Sequence, residues 1–365
     1  MSKDQVESTF FRRTSRWKLI VLLLVAALII IVIVSLNFGT ELKTPISFSD
    51  ILAILGKRIP FLGDHIDLSS ITPQQEAIIL TYRLPRVIAG VLIGAALAAA
   101  GVLYQGVFKN PMAESYVLGV SAGAAVGASF AILSGISFAF LGLGLLQVAA
   151  FVGALSAMFL VYSISRVGSR VPVETLLLNG IAVNFCGFAI VGLLEILAGN
   201  ELENIVGWLI GGYSNVPWKS IWSVLPIIAV GIIASYFFAR DLNVLSMGEE
   251  TAHHLGVNVE RSKQILLVLA SLTTAAAVSI SGLIGFVGLM IPHLTRLLIG
   301  PDHRILLPTS AVVGAIYLVI CDDIARVITT PFLSTGEFPV GIITMLFGGP
   351  FFIFLLKRKK GSYAS

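Results

Sequence analysis

The chain has 365 residues, of which 56% are hydrophobic and only 12% are charged, with a formal net charge of +4. A soluble domain carries about 25% charged residues, so this composition excludes a water-exposed globular fold and indicates a protein covered mostly by lipid. There is no basic block of the kind that binds nucleic acid.

The first apolar run, Leu19–Leu36, follows a basic segment and resembles a signal peptide. It is longer than a typical signal core and no small-residue cleavage site follows it, so it predicts a retained first span. Nine further apolar runs of about 17–25 residues follow. They lie near Val87–Val107, Tyr116–Ile136, Gly142–Ser165, Val173–Ala198, Ile221–Ala239, Ile265–Ser281, Leu283–Ile299, Leu306–Thr329 and Val340–Leu356.

These runs predict an all-α polytopic membrane protein in which residues 1–365 form a single transmembrane domain of about ten helices. Spans two to five and seven to ten are equal in number and opposite in orientation, so they form a possible inverted repeat. Ser281 and Gly282 interrupt one long apolar stretch between spans seven and eight. Breaks of this kind are tolerated only where protein or an aqueous cavity satisfies the freed backbone, which favours a transport path.

The loops predict the orientation of the chain. Lysine and arginine concentrate in both terminal tails and in the even-numbered loops, which places both termini in the cytoplasm of a multi-pass cell-membrane protein. The long first external loop, residues 37–86, is an exception because it contains Lys57, Arg58, Arg83 and Arg86. A long loop escapes the charge rule easily, so this surplus has either no special role or a binding role.

Small residues recur at the spacing of helix contacts. Gly90 and Gly94 form one G-x-x-x-G pair, and Gly119, Gly123 and Gly127 form a longer stripe. Such stripes let helix backbones approach closely, so we expect them to be packing surfaces.

No catalytic constellation is present in the sequence. There is no phosphate-binding loop, zinc-protease motif or nucleophile elbow. The adjacent His253 and His254 lack ligand spacing beside carboxylates, and Cys186 and Cys321 are isolated in apolar segments. We therefore expect no catalytic residue, no metal site and no cofactor, which makes an intramembrane enzyme the least favoured function. Buried carboxylates are scarce, which argues weakly against ion coupling, and an ion-coupled secondary transporter stays the alternative to a pump subunit.

The longest predicted cytoplasmic loop, residues 240–263, divides into two short helices. Glu249 and Glu250 suit a helix N-terminus, and Gly256 suits a helix end. Ala252 and Leu255, with Leu245, give a small apolar face on a polar loop. This face favours docking of a soluble partner, and a merely solvated loop is the alternative.

Several motifs resemble those of the FecCD-type permease subunits, which import iron-siderophores, haem and cobalamin. The resemblance covers nearly everything from about Thr81 to Lys357. The motifs are RLPRVIAGVLIGAALAAAGVLYQ at Arg83–Gln105, NPMAESYVLGVSAGA at Asn110–Ala124, MGEETAHHLGV at Met247–Val257, GLIGFVGLMIPHLTRLL at Gly282–Leu298, DHRILLP at Asp302–Pro308 and EFPVGIITMLFGGPFF at Glu337–Phe352.

The resemblance implies a permease subunit of an ABC importer for an iron(III)-siderophore or related chelate. It implies three partners, namely a cytoplasmic ATPase that hydrolyses ATP, an extracytoplasmic binding protein and a second permease subunit, most simply a homodimer. The ATPase would dock on the coupling residues Met247, Gly248, Glu249, Glu250, Ala252, Leu255 and Gly256.

The resemblance also assigns roles at the outer face and along the path. Arg83, Arg86 and Arg326 would receive acidic residues of the binding protein, since arginine pairs bidentately with carboxylates. For Arg326, an internal pair with Asp322 or Asp323 is the alternative, because Asp323 departs from the usual motif. The residues implied to line the path are Asn179, Val183, Asn184, Thr344 and Met345.

Overall fold

A computed structural model describes residues 3–39, 46–61, 63–68, 71–168, 170–332 and 337–361 of the chain. Within the predicted loop 37–86, residues 40–45, 62, 69 and 70 therefore lie outside the described residues. The helices, in chain order, are α1 (Lys3–Ser35), α2 (Phe48–Lys57), α3 (Pro73–Ala77), α4 (Leu84–Val107), α5 (Val120–Ser134), α6 (Leu145–Ser165), α7 (Val173–Leu197), α8 (Leu202–Ile210), α9 (Trp218–Phe237), α10 (Ala239–Ser246), α11 (Glu249–His254), α12 (Val259–Ser281), α13 (Val287–Ile299), α14 (His303–Phe332) and α15 (Val340–Gly361).

All ten predicted spans correspond to helices. Among the described residues, seven helices are long and apolar enough to cross a membrane, and three shorter apolar helices accompany them. The shorter three are α5, α13 and the first part of α15. The predicted interruption between spans seven and eight is confirmed, because α12 ends at Ser281 and α13 begins at Val287.

Three long helices, α4, α12 and α14, form the buried centre of the bundle, whereas α1 and α7 have most of their surface exposed. Glycine lets the central helices touch. A Cβ atom on Gly94 would collide with the carbonyl of Gly314, and one on Gly101 would collide with the carbonyl of Gly288. The stripe on α5 meets α6 in the same way, since Gly123 lies against the backbone of Gly153. The predicted packing role of the small residues is confirmed.

The backbone broken after α12 is satisfied by a neighbouring half-helix, α8. The N–H of Gly212, just after α8, donates to the carbonyl of Ser281 at 2.8 Å. Gly282 has φ +66°, and a Cβ there would collide with the carbonyl of Trp208. The N–H of Gly341, at the start of α15, donates in turn to Gly211 at 3.1 Å. Three separated segments thus close one helix break, as buried backbone at membrane depth requires.

The central helix α4 defines the two ends of the bundle. Its 24 residues span about 36 Å. Arg86 lies in its first turn, and Gly106, in its last turn, touches Leu242 of α10. We call these the Arg86 end and the α11 end. The short hairpin formed by strands Ala139–Phe140 and Leu143–Gly144 lies at the Arg86 end, beside the first turn of α9.

Candidate functional site

The segment predicted to couple to an ATPase folds as two short helices, as the sequence indicates. The first, α10, is tied to the bundle by Asn243. Its side-chain oxygen accepts the backbone N–H of His303 at 2.8 Å, and its amide nitrogen donates to Asp302 at 2.7 Å. Asn243 thereby satisfies an unpaired donor at the start of α14, in the way a capping residue does. We conclude that α10 is fixed on α4 and α14.

The second helix, α11, has only six residues and is flanked by two glycines with left-handed backbones. Gly248 has φ +124° and Gly256 has φ +82°. An L-residue would be strained at either position. The two glycines delimit α11 as a unit of its own between α10 and α12.

The side chains of the coupling segment divide into an inner and an outer set. Ala252 and Leu245 are buried against the bundle, so Ala252 anchors the segment, and its coupling role stays a prediction. Met247 is 69% exposed and Leu255 is 61% exposed. Exposed apolar side chains on an otherwise polar segment are typical of a protein contact. Glu249, Glu250 and Gly256 are also exposed.

A buried lysine lies beneath α11. The ammonium of Lys263 contacts the carboxylate of Glu249 at 2.6 Å and that of Glu260 at 3.5 Å. We call these three residues the Lys263 cluster. In the sequence, Lys263 is one of the positive charges of a predicted cytoplasmic loop. The spacing of Glu260 and Lys263, three positions apart in a helix, was the available signal.

A second cluster of charges lies at the Arg86 end and consists of Arg86, Arg326, Asp322, Asp323 and Glu337. Arg86 donates to both carboxylate oxygens of Asp322, at 2.9 and 2.8 Å, and to Glu337. Arg326 pairs with Asp323 at 2.5 Å and with Asp322 at 3.0 Å. We call this the ion cluster. It joins the starts of α4 and α15 to the last turns of α14.

The ion cluster also holds the end of α1. Arg326 donates to the carbonyl of Phe38 at 2.6 Å and to the hydroxyl of Ser35 at 2.9 Å. Arg83 donates to the carbonyl of Leu36 at 2.9 Å. Leu36 and Phe38 follow the last residue of α1, so the arginines hold the segment with which α1 ends.

The three arginines assigned to binding-protein docking are all buried in the described chain, with 2% exposure for Arg83, 5% for Arg86 and 2% for Arg326. The internal pair of Arg326 with Asp322 and Asp323, left open by the sequence, is present. The docking role itself stays a prediction. Within the single chain Arg86 is already occupied by the carboxylate of Asp322, 236 residues away in sequence.

The residues predicted to line the path lie on two helices that have different neighbours. On α7, Asn179 donates to the hydroxyl of Ser165 at 3.0 Å, and Asn184 donates to the carbonyl of Tyr116. Val183 lies against Gly119. These contacts attach α7 to α6 and to the segment before α5.

The two path residues on α15 differ from each other in exposure. Thr344 is buried, with its hydroxyl bonded to Gly341 at 3.0 Å, whereas Met345 is exposed. Helix α15 packs on α13 and α14, whereas α7 packs on α5 and α6. The single chain therefore does not assemble the predicted lining residues into one site, and their role stays a prediction.

Comparison with known proteins decides the family of this bundle. A model described as the FecCD transport family matches residues 15–358. The chain belongs to the FecCD transport family. It is a permease, a transport subunit and not an enzyme, and it lies in the membrane.

The relatives of this FecCD chain extend over most of its length. It is 46% identical over 285 residues, 78% of this chain and 74% of the relative, to the cobalamin import system permease protein BtuC of Halobacterium salinarum. It is 40% identical over 283 residues, 77% of this chain and 83% of the relative, to the hemin transport system permease protein HmuU of Yersinia pestis.

A solved structure has the same fold as this FecCD chain. That structure is described as an inward-facing conformation of a metal-chelate type ABC transporter. It matches with a TM-score of 0.78 and 30% identity, covering 93% of this chain and 99% of the solved one. The ten-span architecture is therefore that of an ABC transporter permease.

Proposed function

We propose that this chain forms the membrane path of an ABC importer that brings a metal chelate into the cytoplasm, driven by a separate ATPase. The observation that carries the proposal is the coupling segment. It consists of two short polar helices that Asn243 and Ala252 anchor to the bundle, and it presents Met247 and Leu255 outward. In this arrangement a soluble subunit gains apolar contact area from side chains at the two ends of α11, whose buried face rests on the bundle.

ATP would act through differential binding. The ATPase closes on nucleotide and displaces α11, and the permease state that fits the closed ATPase gains population. Both chain termini lie in the cytoplasm in this proposal, which puts the α11 end inside and the Arg86 end outside. A binding protein then docks at the Arg86 end. We expect the buried arginines to shape that surface by holding α1, α4 and α14 together rather than by direct contact.

A second permease copy completes the path. Support comes from α7, which carries Asn179 and Asn184 and yet exposes a row of large apolar side chains, including Phe185 and Leu193. An apolar helix of this length next to polar lining residues fits a membrane interface between two subunits. The simplest partner is an identical chain.

The coupling role is tested by pull-down of the ATPase with Leu255→Asp and Met247→Asp permeases. Each substitution places a charge in the proposed contact, so we expect capture to fall at least about tenfold, the equivalent of 1.4 kcal/mol. The matched control is Leu141→Asp, which changes an equally apolar side chain, 75% exposed, at the opposite end. Unchanged capture by both coupling variants would refute the docking role.

The transported ligand is proposed to be a macrocyclic metal chelate, haem or cobalamin, ahead of a ferric siderophore. The family resemblance of the motifs favours siderophores. Among named relatives, the cobalamin and hemin permeases are 46% and 40% identical, whereas the permeases FhuB of Bacillus subtilis and FecC of Escherichia coli, named for iron(3+)-hydroxamate and Fe(3+) dicitrate, are 38% and 34% identical.

The ligand and the energy source are tested together in liposomes that contain the permease, its ATPase and its binding protein. Radiolabelled cobalamin, haem and a ferric hydroxamate are supplied in turn, with and without ATP. We expect ATP-dependent uptake of one macrocycle. Uptake of the hydroxamate alone would restore the first ranking. Uptake by the permease alone, driven by an ion gradient, would replace the proposal with a secondary transporter.

A further inference from the structure

Lys263 occupies an unusual position for a lysine. It lies in the second turn of α12, near the α11 end of the bundle, and yet is only 4% exposed. A buried ammonium needs compensating partners, and here two carboxylates share it. Glu249 belongs to α11, and Glu260 belongs to α12 itself. The cation thus connects a short, glycine-flanked helix to a long central one.

Glu260 extends the connection to a third element. Its first oxygen faces Lys263, and its second oxygen accepts the backbone N–H of Val171 at 3.0 Å. Val171 is buried and lies two residues before α7 begins. A continuous set of contacts therefore runs from α11 through Lys263 and Glu260 to the start of α7.

The neighbouring helix α10 is attached to α12 separately. The hydroxyl of Ser262 donates to Asp241 of α10 at 3.0 Å. This contact and the Asn243 contacts hold α10, whereas α11 is set apart from its neighbours by the positive-φ glycines Gly248 and Gly256. A force applied to α11 is therefore passed on where Glu249 meets Lys263.

We propose that Lys263 is a positioning residue that transmits displacement of α11 to α7. When a partner moves α11, the distance between Glu249 and the ammonium of Lys263 changes. The ammonium then moves closer to Glu260 or farther from it. Glu260 holds the backbone at Val171, so the start of α7 moves with it. Asn179 and Asn184 lie on α7 and move as part of the same helix. This inference rests on the proposed ATP-driven function.

The test uses the complete transporter in liposomes and measures ligand uptake and ATP hydrolysis in the same sample. For Lys263→Met we expect ATPase capture and the unfolding temperature to stay near the parent values, while ligand moved per ATP falls about fivefold or more, in the usual range of coupling effects. Glu260→Gln is a milder variant that keeps an acceptor for Val171, and it should lower the same ratio.

Two controls separate transmission from stability. Arg261→Met removes an exposed cation two residues away on the same helix and should leave the ratio unchanged. Lys263→Arg keeps the charge and should restore most of the ratio. The double variant Glu249→Gln with Lys263→Met should lose no more than Lys263→Met alone, since both break one connection.

The outcomes distinguish this inference from the function it rests on. A parent transporter without ATP-dependent uptake would remove both. An active parent whose Lys263→Met and Glu260→Gln variants keep the parental ratio would remove the transmission role alone. Equal losses of hydrolysis and uptake, with ATPase capture lost, would likewise overturn it, because Lys263 would then only shape the docking surface.

Discussion

The two ends of the bundle each contain buried positive charge, but they pair it differently. At the Arg86 end, two arginines share three carboxylates, and one of them, Arg326, also donates to carbonyls at and just after the end of α1. No side chain of the ion cluster is more than 16% exposed. At the α11 end, the buried Lys263 contacts Glu249, which is 45% exposed, and Glu260, which is also partly exposed. The first arrangement resists rearrangement, and the second is open to solvent and to a partner.

The difference follows from what each contact connects. The ion cluster joins long helices whose backbones already touch at glycines, as α4 and α14 do at Gly94 and Gly314. The Lys263 cluster joins a central helix to a six-residue helix between two glycines. Breaking a fully buried pair leaves an uncompensated charge, whereas an exposed partner recovers water. Stability therefore depends chiefly on one end, and movement is expected chiefly at the other.

The largest expected effect comes from Arg86→Ala. Asp322 would keep Arg326, but Glu337 would lose its contact with Arg86, and removing one member of a buried pair costs about 3–5 kcal/mol. The measurement is thermal or denaturant unfolding of the purified permease in detergent. The control is Arg58→Ala, because Arg58 also pairs with a glutamate, Glu76 at 3.0 Å, but is 65% exposed.

The Arg58 control should lose at most about 1 kcal/mol, as exposed pairs do. If Arg86→Ala is as stable as Arg58→Ala while capture of the binding protein weakens, then Arg86 is a docking group after all and the ion cluster does not clamp the helices together.

A smaller effect is expected from Arg326→Lys, which keeps the charge but not the geometry. Arg326 uses its two terminal nitrogens on Asp323, on Ser35 and on the carbonyl of Phe38. A lysine has one nitrogen and cannot reach all of them. We expect a loss of about 1–3 kcal/mol from the unsatisfied buried groups and a looser end of α1.

The looser end is measured by maleimide labelling of a cysteine introduced as Asn37→Cys, with and without Arg326→Lys, in a Cys186→Ser background because Cys186 is exposed. Labelling should be faster in the variant. Equal labelling rates and equal stability would show that the charge alone holds α1, and that the fork-shaped donor set of Arg326 contributes nothing.

The sequence predicted those features that depend on local pattern. Ten spans were recognisable because an apolar run long enough to cross a bilayer identifies itself without tertiary information. The break at Gly282 and the close contact at Gly94 were recognisable because glycine inside an apolar run is typical of a helix break or a helix contact. The pairing of Arg326 with Asp322 and Asp323 was recognisable as an alternative to docking, because these residues are three and four positions apart on one helix.

Other features depended on pairings that no local pattern contains. Helix α8 has nine residues, too few to stand out as a span, and its role emerges only where Gly212, just after it, bonds the broken end of α12. In the sequence, Arg86 is one basic residue of a long loop. Its partner Asp322 lies 236 positions later, and only the fold brings the two together. In the sequence, Lys263 resembles a solvated cation. Its burial could not be predicted, because it arises only when α11 folds back over α12.

The smallest expected effect comes from Glu249→Gln, and it tests the open end of the comparison. The amide oxygen still accepts a hydrogen bond from Lys263, and the lost attraction is that of a half-exposed pair, so the stability loss should be about 0.2–1 kcal/mol. Because water reaches Glu249, 1 M salt, which shortens the screening length to about 3 Å, should shrink this difference.

The loss caused by Arg86→Ala should persist in the same salt, since its partners are buried. Unfolding both variants at low and high salt makes the comparison directly. A large, salt-resistant loss for Glu249→Gln would mean that α11 is clamped as firmly as α1, and a helix clamped in that way could not pass on the movement of a partner.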